Sequence, residues 1–223
     1  MANMIPVKIL DIKHLTHDVK GFKVEKPNGY NFNPGQATSL AIENPDIRIP
    51  LTLTSLPREN YLEFTIKIYK ERHKITEKLD KLKIGDNLLI KDESYGAIHY
   101  QGKGTFIAGG AGITPFLAIL RDLRERKELN GNTLIFSNKT KQDIILEEEL
   151  KEMEKEGLKL FLTLTRENNS NYLNKRINEE FLKENIKDFS QNFYICGPIR
   201  MIGEIQFFLK DLGASPNALI FDD

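Results

Sequence analysis

The sequence predicts an antiparallel β-barrel followed by a parallel-sheet α/β half. Three observations carry that prediction. Up to about residue 100, short alternating apolar runs are punctuated by Pro, Gly and Asn turns. From Thr105 onward, strand-like and helix-like runs alternate, the pattern of βαβ units. The polar stretch Gln101–Gly104 separates the two patterns and gives units of residues 1–101 and 102–223. A chain of 223 residues is long enough for two small domains.

In the first half, Val7–His14 and Lys20–Lys26 have the alternating composition of strands. Asn33-Pro34-Gly35 marks a turn before the apolar run Ala37–Ile42. Leu51–Ser55 and Tyr61–Tyr69 are rich in β-branched and aromatic residues, and Leu88–Lys91 adds a last strand. A helix over Thr76–Leu82 interrupts the series, with Thr76 as its expected N-cap.

In the second half, strands are expected at Thr105–Ala108, Thr133–Ser137, Leu158–Leu164, Asn192–Cys196 and Leu219–Phe221. Helices are expected at Pro115–Arg126, Asp143–Lys155, Asn178–Glu184 and Gly203–Leu212. Ligands of such a sheet gather at the strand C-terminal ends. Thr105–Leu120 is the most telling segment. A strand runs into a turn holding Gly109, Gly110 and Gly112, and Pro115 opens a helix. Glycines admit positive φ and close backbone approach. A helix start offers free N–H groups and a positive dipole end, which suits a phosphate. A nucleotide diphosphate over this turn is the expected ligand.

Composition narrows the alternatives. Lys plus Arg and Asp plus Glu both number 32, so no charge bias points to nucleic acid or to an anionic membrane. Cys196 is the single cysteine, which excludes an internal disulfide and a cysteine-ligated iron–sulfur cluster. No apolar run reaches spanning length and the N-terminus lacks a signal-peptide pattern, so a soluble cytoplasmic protein is expected. His14, His17, His73 and His99 show no metal-ligand spacing. An enzyme of this composition draws its chemistry from a cofactor.

Several motifs then occur in a fixed order: Phe32-Asn33-Pro34-Gly35-Gln36, Pro50–Ser55, Leu82–Asp86, the Gly109–Pro115 turn, and Cys196-Gly197-Pro198-Ile199-Arg200-Met201. Together, over nearly the whole chain, they resemble the ferredoxin/flavodoxin–NADP reductase family. The resemblance implies FAD on the barrel and NADPH or NADH on the α/β half. It implies hydride transfer between them and single electrons passed to a separate carrier such as flavodoxin or ferredoxin. The same grouping also leaves two other readings: a reductase subunit of an oxygenase or dehydrogenase complex, or a non-catalytic flavin-binding protein.

Residue by residue, the family's Arg-x-aromatic-Ser/Thr flavin motif falls on Ile49-Pro50-Leu51-Thr52. Thr52 takes the hydroxyl position near flavin N5. Leu51 replaces the aromatic, which keeps apolar contact but removes ring stacking. Ile49 stands in the arginine position, with Arg48 just before it. The resemblance puts Thr65, Ile66, Lys67 and Ile68 along the flavin edge, Lys74, Ile75 and Thr76 at its pyrophosphate, and Phe221 over its ring. On the nicotinamide side it assigns Gly109, Gly110, Gly112 and Ile113 to the dinucleotide pyrophosphate. Thr114, Cys196, Gly197 and Pro198 fall at the junction with the flavin, so Thr52, Thr114 and Cys196 are the expected catalytic meeting point. Thr165, Arg166 and Arg176, with Asn138 and Lys139, match a 2′-phosphate grip, which favours NADPH.

Overall fold

A computed structural model describes residues 3–69, 75–96 and 98–221. Its first part is a six-stranded antiparallel sheet of β1 (Met4–His14), β2 (Val19–Glu25), β3 (Ala37–Ala41), β4 (Ile49–Thr52), β5 (Tyr61–Lys67) and β6 (Asn87–Lys91). The spatial order is β4-β3-β6-β1-β2-β5. Just past β4, Leu53 bridges Phe64 of β5, and the Thr54 N–H donates to the Glu63 carbonyl at 2.8 Å. That contact draws the two edges together into a near-barrel, which spares both edges from exposure.

Alternation along β5 fills the interior, where Leu62 and Phe64 are fully buried and Ile66 nearly so. Phe22, Val24, Leu40, Leu88 and Ile90 complete the same core. Each such side chain contributes about 1.5–3 kcal/mol by leaving water. Strand β1 starts at Met4, earlier than the pattern suggests. Pro6 discourages a strand reading because it has no N–H, yet Met4–Lys8 pairs with β6 and the rest of β1 pairs with β2, with an irregularity between Ile9 and Asp11.

The second part is a parallel sheet of β7 (Gly104–Gly109), β8 (Thr133–Asn138), β9 (Lys159–Leu164), β10 (Asn192–Cys196) and β11 (Leu219–Phe221). Its order is β11-β10-β7-β8-β9. Helices α2 (Thr114–Glu125) and α3 (Glu147–Lys155) cover one face, packing on Phe106, Leu134 and Phe136. Helices α4 (Glu179–Asn185) and α5 (Ile199–Asp211) cover the other, packing on Ile107, Ile135 and Ile195. Burial on both faces explains the near-continuous apolar composition of these strands.

Three helix boundaries differ from expectation. Helix α1 spans Ile75–Asp80, so Thr76 lies inside its first turn and is not its N-cap; the Thr76 hydroxyl instead accepts the Tyr69 N–H at 3.2 Å. Asp143 does not start α3. Its carboxylate turns back to accept the N–H and hydroxyl of Thr140, closing a 3-10 turn over Lys141–Asp143. A left-handed Leu146 then separates that turn from α3. Helix α5 begins at Ile199, running through Gly203 even though a mid-helix glycine is unfavourable.

The two halves share core. Val19 of β2 and Ile98 belong to the same buried cluster as Phe116, Ile119 and Leu120 of α2.

Candidate functional site

The parallel sheet reverses its winding beside β7. The chain moves outward through β8 and β9, then returns to lay β10 on the other side. The crevice of such a switch point opens between the C-terminal ends of the two central strands, here Gly109 and Cys196. Gly110 lies in the left-handed region at φ +53° with open space around its Cα. The neighbouring glycines have a packing reason. A Cβ on Gly109 would fall 2.6 Å from the Met201 sulfur, and one on Gly112 would collide with the Cys196 carbonyl. Glycines therefore press the β7 turn onto the Cys196–Pro198 turn, and Gly110 alone of the three keeps free room. Thr114 opens α2, its hydroxyl donating to the Ala111 carbonyl at 3.0 Å. No acidic residue sits in the first turn of α2, so its positive end is not neutralised.

Next to this turn lies a cavity of about 830 Å3. Its floor is Pro50 and Leu51 of β4 and Thr65, Ile66 and Lys67 of β5. Ile75 and Thr76 of α1 close one end, and Ala111 and Thr114 reach in from the α/β half. The size is that of a cofactor site. Aliphatic walls, three threonines and the Lys67 ammonium suit a large, flat apolar ring system with a polar edge. Lys67 lies 2.7 Å from Asp18. Burial alone would raise the Asp18 pKa, but the Lys67 hydrogen bond and charge outweigh it and hold the carboxyl below its ordinary value.

Some nominated residues stand apart from this cavity. Thr52 pairs with Ala37 across β3, and Ile68 is buried in the barrel core. Arg48 is exposed, donating to the Pro45 carbonyl at 3.4 Å. None of these three lines the cavity. Lys74 lies outside the described residues, and Phe221 ends β11 opposite Ile195. The cavity adds residues that motif matching passes over: Ile42, Ile47, Tyr69, Lys78 and Ala111. Spaced isoleucines around the Asn44-Pro45 turn were the available signal for the first two.

The nucleotide side gathers at the ends of β8 and β9. The Asn138 carbonyl accepts the N–H and hydroxyl of Thr165, and the Arg166 N–H donates to the Lys139 carbonyl. Leu173 bridges Thr163 in parallel, and the Thr163 hydroxyl donates to the Lys175 carbonyl, which brings Arg176 to the same edge. Asn138 is 4% exposed, and both of its amide atoms lack partners. A buried amide left so is costly, and a polar ligand group would satisfy it. Among the described arginines, Arg58, Arg121, Arg124, Arg126 and Arg200 each face a carboxylate. Arg48, Arg166 and Arg176 do not.

Comparison with known proteins decides the family. A model of the oxidoreductase FAD-binding domain matches residues 6–100, and one of the oxidoreductase NAD-binding domain matches residues 106–206. The chain belongs to the ferredoxin–NADP reductase-like family. This reductase-like chain is an NAD(P)H-dependent flavin oxidoreductase with FAD as its flavin. NADH-cytochrome b5 reductase 3 of Rattus norvegicus is 27% identical over 240 residues, covering 88% of this chain and 79% of its own. A nitrate reductase [NAD(P)H] of Betula pendula is 28% identical over 238 residues, 90% of this chain and 26% of its own. The structure of a ferredoxin NADP+ reductase from Neisseria gonorrhoeae with bound FAD and NADP superposes with TM-score 0.89 at 23% identity. It covers 100% of this chain and 99% of that one, a likeness of fold. In the reductase-like chain the aliphatic cavity is the part that fits the flavin. No helix among its described residues is long and apolar enough to cross a membrane.

Proposed function

We propose that the chain draws reducing equivalents from NADPH in preference to NADH and passes them, one electron at a time, to a small protein carrier of the flavodoxin or ferredoxin type. The carboxylate-free pair Arg166 and Arg176 is the observation that carries the choice of NADPH. Guanidinium groups held without counter-ions bind a phosphate dianion through charge-assisted bonds. The Thr165 hydroxyl and Lys139 stand on the same edge.

On this reading Gly110 and the start of α2 receive the dinucleotide pyrophosphate. Thr114 and Cys196 flank the nicotinamide where the glycine turn meets the cavity. The cavity residues Leu51, Thr65, Ile66 and Thr76 hold the flavin and shield it from water. When bound, FAD supplies the exchange between two-electron and one-electron chemistry. The chain's own residues supply orientation and a dry, apolar wall.

Likeness along the whole chain supports that choice of carrier. The Neisseria neighbour, matched along 99% of its length, is a ferredoxin NADP+ reductase. The Rattus relative is named for cytochrome b5, which makes that protein the competing acceptor. The test is anaerobic titration of the yellow holoprotein with NADPH and with NADH, followed by turnover with flavodoxin, ferredoxin and cytochrome b5. Bleaching at lower NADPH than NADH, with fastest turnover on flavodoxin or ferredoxin, is expected. Equal bleaching by both nucleotides, or fastest turnover on cytochrome b5, overturns the corresponding half of the proposal.

A further inference from the structure

Arg121 occupies a place that neither cofactor motif accounts for. It sits on α2, seven residues beyond Thr114, so both project from nearly the same side of the helix. Its Nη1 donates to the Thr54 carbonyl and to Glu63 Oε1, each at 2.7 Å. Its Nε and Nη2 form a fork onto Glu149 of α3, at 2.6 and 2.8 Å. Thr54 and Glu63 belong to the barrel, and Glu149 to the α/β half. The side chains of this triad are only 17–22% exposed.

The contacts continue to the cavity. The Thr54 hydroxyl donates to Glu63 at 3.0 Å and lies 3.4 Å from the Thr65 hydroxyl, and Thr65 lines the flavin cavity. Glu63 and Thr65 are two apart on β5 and share a face. Arg121 thus fastens α2 to Glu63 of β5, and the Gly110–Ile113 turn that leads into α2 also lies close to β5, beside the cavity that Thr65 lines. A bonded hold on α2 and a close approach at the turn before it restrain the slide and rotation of the helix against the barrel.

We infer that Arg121 is a positioning residue that sets the glycine turn in register with the flavin cavity, and so sets the approach of the nicotinamide to the flavin. The inference rests on the reductase reading above. A mispositioning of about 1 Å at reacting centres costs on the order of 100-fold in rate.

Arg121→Lys keeps the charge and shortens the fork. Arg121→Ala would strand two carboxylates and destabilise the chain, confounding the readout. The decisive variant is therefore Glu63→Gln with Arg121→Met and Glu149→Leu, which removes the triad together; replacing every member of a buried ion group by neutral residues preserves stability. Each holoprotein is measured for melting temperature, flavin content, NADPH dissociation constant, and the long-wavelength charge-transfer absorbance formed on adding NADPH. For the triple variant, melting temperature and flavin content near wild type are expected. NADPH affinity should change less than 3-fold. The charge-transfer absorbance should fall at least 5-fold, and single-turnover flavin reduction 10- to 100-fold. Arg121→Lys should fall between. A triple variant that melts like wild type and retains the full charge-transfer absorbance overturns the inference, leaving Arg121 a stabilising contact. A triple variant that does not fold overturns it too if Arg121→Lys, folded, shows the wild-type absorbance. A wild-type protein that NADPH never bleaches sinks the reductase reading instead.

Discussion

Arg166 and Arg176 show how much a single side chain's surroundings can say. Five other described arginines are set against a carboxylate, as in the Arg124–Glu156 and Arg126–Asp122 pairs. Replacing both Arg166 and Arg176 by Ala should raise KM for NADPH at least 10-fold, a loss of at least about 1.4 kcal/mol in binding, and leave KM for NADH within about 2-fold. Steady-state kinetics with both nucleotides decides it, and parallel losses would refute the 2′-phosphate assignment. At this scale the sequence was informative about residue types in loops, because the glycine turn declares itself by spacing and Thr165-Arg166 resembles the family's motif. It was less informative about direction. Nothing in Arg48-Ile49-Pro50-Leu51-Thr52 states that Leu51 lines the cavity while Thr52 does not. The tertiary placement of the strand end decides that, where Thr52 pairs with Ala37 of β3.

The elements were legible wherever apolar periodicity ran uninterrupted, as in β5, α2 and β8, and blurred where side chains redirect the backbone. Asp143 capping Thr140 is one such case, and Thr76 serving Tyr69 is another. The connection between the halves is anchored by tertiary contacts that local pattern cannot forecast. Tyr194 of β10 is fully buried, stacks on Phe106 with ring centres 4.4 Å apart, donates to the Gly102 carbonyl at 2.7 Å and accepts the Gln101 N–H at 2.8 Å. Burial pushes its phenol up to about 12, from an ordinary value of 10. The folded chain therefore keeps a proton that the unfolded chain loses first. The associated stability is fully present below pH 10 and is lost as pH rises towards 12, about 2–3 kcal/mol in all. Tyr194→Phe should cost about 1–3 kcal/mol at neutral pH through the two stranded backbone groups, and should flatten this part of the alkaline limb. Urea unfolding from pH 7 to 11.5 measures both; an unchanged alkaline slope would remove Tyr194 as its cause.

For the whole molecule, a barrel feeding an α/β half was written in the change of pattern near Gln101. The way the halves fasten was not, because Val19, Ile98 and Arg121 are far apart in sequence and carry no local signature. The shared core of Val19 and Ile98 with α2, together with the buried triad, predicts that both halves unfold in one transition. FAD bound to the native chain alone should raise that transition. At 100 times its Kd the gain is about 2.7 kcal/mol, or about 5–11 °C for a chain of this size. Differential scanning calorimetry with and without added FAD checks this, and two separated endotherms would show halves that melt independently.

The carboxylate-free guanidiniums also bear on bench conditions. Among the described residues no carboxylate pairs with Arg166 or Arg176, so a dianion in solution can occupy them. Inorganic phosphate or sulfate at tens of millimolar is expected to compete with NADPH and to spare NADH. Coenzyme preference measured in phosphate buffer would then look flatter than in a chloride–Tris buffer of equal ionic strength, and the ratio of the two readings would itself report how open that pair of arginines stands.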